Sequence, residues 1–134
     1  KSWFASLGEQ IVEVRVKDET RYLLAEHEDE LAATQPSRAT CLLGAFDQFV
    51  LGPGTKDTHM LANKHRSRVS KAAGWIAPVL TQGGRITGVW EMDDGDLVVT
   101  PFPGEQAPSS KALEDAAARL AAVHGLVKVT PRVG

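Results

Sequence analysis

The sequence predicts an α+β domain: mostly antiparallel β-sheet, barrel-like, with about three helices packed against it. Three observations carry this. Val12, Val14 and Val16 alternate with Glu13 and Arg15, the period of a half-buried strand. The stretch 77–102 holds three β-rich runs parted by Gly83-Gly84 and Asp94-Gly95, both favoured in tight hairpin turns. Three other segments carry helix start and stop signals instead of strand period.

In chain order, "QIVEVRV" is the first strand, "KDET" turns it, and "RYLLA" is the antiparallel return. "EHEDELAATQP" is a short acidic helix that stops before Pro36, because the residue preceding proline avoids helical backbone. Its acids crowd the first turns, where the helix dipole favours them. "ATCLLGAF" reads as strand and bend, and "DQFVL" as strand or turn, ended by Gly52-Pro53-Gly54. "TKDTHML" continues as an exposed loop. Asn63 as N-cap and Gly74 as C′ residue bound a helix over 64–73. After the three strands, "PFPGEQAPSS" is a proline-rich linker, and Ser109 or Ser110 caps the last helix. Leu113, Ala116, Ala117, Leu120 and Val123 form its apolar face, Gly125 ends it, and "LVKVT" closes the sheet as a strand.

At 134 residues the chain, 1–134, fits a single domain with room for a core. With 43% apolar and 24% charged residues it is an ordinary globular composition, not a disordered one. One cysteine, Cys41, excludes an internal disulfide and suggests a reducing, cytoplasmic setting. No apolar run approaches the ~20 residues that cross a bilayer, so no membrane partner is expected. The first residue is Lys1 with "SWF" following at once, the opening expected of a piece excised from something longer or of a processed terminus. The net charge of −2 conceals a partition. Acids outnumber cations in the first fifty residues, whereas 58–90 holds no acid but carries Lys64, Arg66, Arg68, Lys71 and Arg85. Charge separated in this way builds a surface field even near overall neutrality.

With the elements placed, "LLGAFDQFVLG", then Arg66, Val69, Gly74 and Trp75, then "PVL…GGRITGVW" occur in one order and spacing. This pattern resembles the C-terminal region of the bacterial winged helix DNA-binding domain family, which includes DNA glycosylases that unhook interstrand crosslinks and excise alkylated bases. The resemblance covers most of the chain and does not separate the family's members. It implies a noncatalytic C-terminal domain of a winged-helix DNA-binding protein, one that braces the winged helices of the same chain and adds contacts to duplex DNA. For a glycosylase parent, the implied reaction is hydrolysis of the N-glycosidic bond of a damaged base, without a metal or other cofactor. The Gln-x-Gln or Gln-x-Asp motif of such glycosylases is absent: none of Gln10, Gln35, Gln48, Gln82 or Gln106 is followed two positions later by Gln or Asp. No catalytic residue is therefore carried over, and the motif is expected upstream of Lys1. Gly44 stands where family members have proline, which leaves that corner looser.

The cations are the candidate site. Lys64, Arg68 and Lys71 share one stripe of a helix over 64–73, and Lys64 and Arg66 would sit in its first turn. A positive charge there opposes the dipole by about 0.3–1 kcal/mol, a cost that phosphate binding would explain. With Arg85 they form the expected DNA-backbone contacts, which position without reading sequence. The opposing reading is an ordinary solvated face. Asp47, Trp75 and Trp90 are expected to be structural: Asp47 as a carboxylate accepting backbone N–H bonds at a bend or pairing with a cation of 64–71, the tryptophans as core residues rather than base-stacking ones. Asp57, His59 and His65 fit no zinc spacing, so no metal is expected. "LGPGTKD" lacks the ending of a phosphate loop, and "EMDDGD" lacks the spacing of a calcium loop. His65 projects onto the apolar side of its helix and is expected to pack. The alternative function is a structural or protein-interaction module with no nucleic-acid contact. An enzyme of another kind is disfavoured because no acid, base and nucleophile are grouped together.

Overall fold

The computed structural model describes residues 2–93, 96–125 and 129–134. The chain divides into two compact units, Lys1–Pro36 and Ser37–Gly134.

In the first unit, helix α1 (Ser2–Leu7) runs into a 3-10 turn at Gly8–Gln10. Strands β1 (Ile11–Val16) and β2 (Glu19–Leu24) then pair antiparallel, from Ile11 opposite Leu24 to Val16 opposite Glu19. Lys17 turns the hairpin at φ 56°, left-handed backbone that matches the twist of the flanking strands. A 3-10 turn at Ala25–His27 leads into α2 (Glu28–Ala33), with Glu28, Asp29 and Glu30 in its first turn. The Thr34 amide and hydroxyl both donate to the Glu30 carbonyl and close this helix before Pro36. None of the described residues of this unit is buried.

The second unit is built on a five-stranded mixed sheet. Its order is β3 (Thr40–Leu43), β4 (Val79–Gln82), β5 (Arg85–Asp93), β6 (Asp96–Pro101) and β7 (Pro131–Val133). Neighbours are antiparallel except β6 and β7, which are parallel. Side-chain alternation along β4 sends Leu80 to one face and Val79 to the other. Leu80 packs with Leu42, Leu97, Val99 and the α5 (Ser110–Val123) residues Leu113, Ala116, Ala117, Leu120 and Ala121. Val79 packs with Val50, Met60, Leu61, Val69, Ile76, Ile86 and Phe102 on the other face. Helix α5 therefore covers one side, and the segment that includes α3 (Gln48–Leu51) and α4 (Arg66–Val69) covers the other. The Ser109 hydroxyl accepts from the Ala112 amide and caps α5, and Gly125 follows its end at φ +66°.

Four expectations are corrected. The sheet is open, not barrel-like: among the described residues β3 pairs only with β4, and β7 extends the far edge beside β6 instead of returning to β3. The helices among the described residues number five, not about three: α1 was not expected, and "DQFVL", expected as strand or turn, forms the helical turn α3, because the Asp47 carboxylate accepts from the Phe49 amide and starts it. The closing strand is at Pro131–Val133, downstream of "LVKVT", whose residues 126–128 lie outside the described residues, as does the Asp94-Gly95 turn. Val123 is 82% exposed, so the buried face of α5 ends at Leu120 and Ala121.

Candidate nucleic-acid interface

The acid-free stretch begins in a loop held from within. Gly54 turns it at φ +82°, the Asp57 carboxylate accepts from the His59 amide at 2.8 Å, and Met60 and Leu61 are buried anchors. The Ile86 amide donates to the Met60 carbonyl at 2.8 Å, which fastens this loop to the start of β5. Asn63–His65 then form a 3-10 turn, and α4 follows directly. His65 and Val69, four residues apart, are both buried, so this face points inward and Lys64, Ser67 and Arg68 are exposed.

The helix expected over 64–73 is shorter than that. It ends at Val69; Ser70 is extended and bridges Ile76, and the Ala77 amide donates to the Val69 carbonyl at 2.9 Å. Ala73 at φ 56° and Gly74 at φ 77° complete a tight turn, itself closed by the Lys71 amide donating to the Trp75 carbonyl at 2.9 Å. Asn63 makes no side-chain cap. The predicted dipole penalty on Lys64 and Arg66 accordingly disappears: a 3-10 turn joined to a four-residue helix has little dipole, and Arg66 and Arg68 fall in its last turn.

The five cations fall into two groups. Lys64, Arg66 and Arg68 share one short turn, and Arg85 reaches the loop before it, donating to the His59 carbonyl at 3.2 Å. Arg66 is half-buried and donates to the Thr55 hydroxyl at 3.3 Å, so both arginines brace the same loop. Lys71 stands apart on extended backbone and lines a separate cleft. Lys64, Arg68 and Lys71 are exposed, and no carboxylate among the described residues forms an ion pair with any of them. His65 lies beneath this turn, stacked on Phe102 with ring centroids 4.5 Å apart. Its Nε2 has no hydrogen-bond partner among the described residues and lies 3.9 Å from a Glu105 carboxylate oxygen. Burial holds its pKa below 6.5, reinforced by the charges of Lys64 and Arg68 and opposed by Glu105.

Of the residues expected to be structural, Asp47 caps α3, and the Trp90 indole donates to the Leu43 carbonyl at 2.8 Å while packing on the core. Trp75 differs from its expected core position. It is 49% exposed and meets Phe46, itself 43% exposed, edge-to-face at 5.1 Å. Trp75, Trp90, Lys71, Glu91 and Met92 line a cleft of about 380 Å³. This cleft unites residues from separate segments, and no periodicity marks it. The one local signal is Gly74, whose left-handed turn lifts Trp75 out of the core. Asp57 and His59 interact through the loop backbone, and no group of three or more His, Cys, Asp or Glu placed to hold a metal occurs among the described residues. No helix among them is long and apolar enough to cross a membrane.

Comparison with known proteins gives three findings. The family model described as DNA glycosylase AlkZ-like matches residues 1–123. An interstrand DNA cross-link repair glycosylase of Streptomyces sahachiroi is 48% identical over 133 residues, which is 99% of this chain and 36% of the relative. The solved structure of the Streptomyces sahachiroi DNA glycosylase AlkZ matches with a TM-score of 0.96 at 48% identity, over 99% of this chain and 36% of that one. The chain thus spans about a third of the length of the relatives it matches.

Proposed function

The chain belongs to the AlkZ-like DNA glycosylase family, and from that premise we propose that it is the noncatalytic, DNA-backbone-contacting part of a glycosylase acting on crosslinked or alkylated bases. The parent would hydrolyse the N-glycosidic bond of the damaged base in the cytoplasm, with this part supporting winged helices that precede it in the same longer chain. No Gln-x-Gln or Gln-x-Asp motif occurs here, so the reacting groups would come from elsewhere in the longer protein.

The observation that carries the reading is the exposure of Lys64, Arg68 and Lys71 without a carboxylate partner among the described residues, in a stretch that has no acid from 58 to 90. Charges left unpaired in this way attract a polyanion, and phosphate contacts release condensed counterions from DNA. Arg66 and Arg85 would act differently. Both already hydrogen-bond the 55–59 loop, so they hold its shape and add field more than direct contact.

Duplex binding measured across a range of salt tests the reading. Three phosphate contacts give a slope of log K on log salt near −2.7, at about −0.9 per contact. Replacing Lys64, Arg68 and Lys71 together by Glu should abolish binding at moderate salt and leave the fold intact, since all three are exposed. An affinity indifferent to salt, or unchanged in the triple variant, would remove DNA contact from the assignment and leave a structural module.

A further inference from the structure

We propose that Trp75 and Phe46, with Lys71 beside them, form a stacking platform for one unpaired nucleotide of a DNA strand. This rests on the DNA-binding reading above and adds to it a place for a base.

Two exposed aromatics in contact are costly to leave in water, and here the backbone is also strained to present them. Phe46 has φ 58°, and Ala73 at φ 56° begins the turn that delivers Trp75. Left-handed backbone costs a non-glycine residue about 1–2 kcal/mol. Neither aromatic is buried enough to be called a core residue that repays it.

The turn is also rigid. The Lys71 amide donates to the Trp75 carbonyl, the Trp75 amide donates to the Ala72 carbonyl at 3.3 Å, and the Ser70–Ile76 bridge closes the base. A surface fixed in advance loses little freedom on binding. Phe46 meets Trp75 at 85°, an edge-to-face contact that steadies the indole.

The cleft that Trp75 lines is the size of a small-ligand site, about 380 Å³. Its lining suits a nucleotide. Every base offers a π-face to an indole, so stacking there is tolerant of sequence. Lys71, without an ion pair among the described residues, offers an ammonium to the adjoining phosphate. Glu91, exposed and without an ion pair among the described residues, is an acceptor for an exocyclic amine on the base edge. A base inside a paired duplex cannot reach such a cleft, whereas one that has left the stack can. The acid-free run that carries Lys71 favours this polyanionic ligand over a protein surface.

The test compares a fully paired duplex with the same duplex carrying one bulged 2-aminopurine, each titrated with the 134-residue chain. Binding should quench the 2-aminopurine. Trp75→Ala should weaken the bulged duplex about tenfold more than the paired one and remove the quench, and Trp75→Phe should restore most of both. Phe46→Ala should give a smaller loss in the same direction. Equal affinity of the wild type for the two duplexes, with the salt slope intact, would overturn the platform and leave the DNA reading standing. Binding of neither duplex would remove the DNA reading, and the platform with it. If Trp75→Ala instead disperses a self-associated form and has no differential effect on DNA, the patch is a protein-docking face and the proposal is overturned.

Discussion

Asp47 sits between Phe46 and Phe49, a position that in the bare sequence suggests a carboxylate inside a core. Both aromatics are more than 40% exposed, and the carboxylate accepts the Phe49 amide as an N-cap, a job that aspartate does well. His65 is the opposite case, an ionisable ring that is 4% exposed with an unpartnered nitrogen. Burial, chiefly, depresses its folded-state pKa below the 6.5 of the unfolded chain. Below pH 6.5 the unfolded state therefore takes up a proton that the folded state refuses. His65 consequently destabilises the fold progressively as pH falls through 6.5 toward the lower folded value, and contributes no pH dependence above 6.5. The limiting slope is about 1.4 kcal/mol per pH unit for one proton. Urea midpoints of wild type and His65→Phe, followed from about pH 7.5 to about pH 5.5, should diverge in slope, with the variant the flatter of the two. Phenylalanine keeps an aromatic stack on Phe102, so parallel curves would mean that His65 takes up its proton equally in the folded and unfolded states, and a wild type that gains on the variant as pH falls would mean that the ring is protonated in the fold and paired with Glu105.

Strand β5 owes its pairing to a residue without a side chain. A Cβ on Gly88 would lie 2.6 Å from the Thr100 carbonyl oxygen and 3.0 Å from the Pro101 Cα, both backbone atoms of β6 that cannot step aside. Gly88→Ala should therefore force β5 and β6 apart, at a cost of about 1–3 kcal/mol or more, readable as a lower melting temperature. Strands β4, β5 and β6 were legible because β-rich runs are parted by turn residues such as Gly83-Gly84. The final helix was equally legible, since its cap at Ser109 and the spacing of Leu113, Ala116, Ala117 and Leu120 point to the same register. The stretch 63–74 was not. Its composition is that of a helix, yet Ser70 is drawn into a bridge with Ile76 and Ala73 adopts a left-handed turn, both tertiary choices that local propensity cannot show. The cations were visible as a charge partition, but their grouping was not. Lys71 leaves the stripe because the helix stops two residues earlier, and the Trp75 cleft needs three separated segments, 71–78, 89–92 and Thr100, to close around it. The open edge of the sheet was hidden for a related reason, since no periodicity says that β7 joins β6 in parallel.

At the scale of the molecule, both hydrophobic clusters are drawn wholly from residues 37–134. They include the fully buried Phe102, Leu61, Leu80, Leu97, Val50, Val69, Val79 and Val99, each worth about 1.5–3 kcal/mol of transfer free energy. Within 1–36 no described residue is buried, and Trp3, Phe4, Tyr22, Leu24 and Leu31 are each at least 45% exposed. An isolated two-stranded hairpin is marginal in water even with good pairing, because too little apolar surface leaves the solvent to offset chain entropy. Stability is thus distributed unevenly along this chain, and the units should separate on denaturation. Residues 37–134 alone should unfold in one cooperative transition at nearly the midpoint of the full chain, and should retain the salt-dependent DNA binding assigned to Lys64, Arg68 and Lys71. Residues 1–36 alone should show little ordered structure by circular dichroism. If deleting 1–36 instead collapses the melting transition of the remainder, the two core clusters are insufficient by themselves and the stability of the second unit depends on the first.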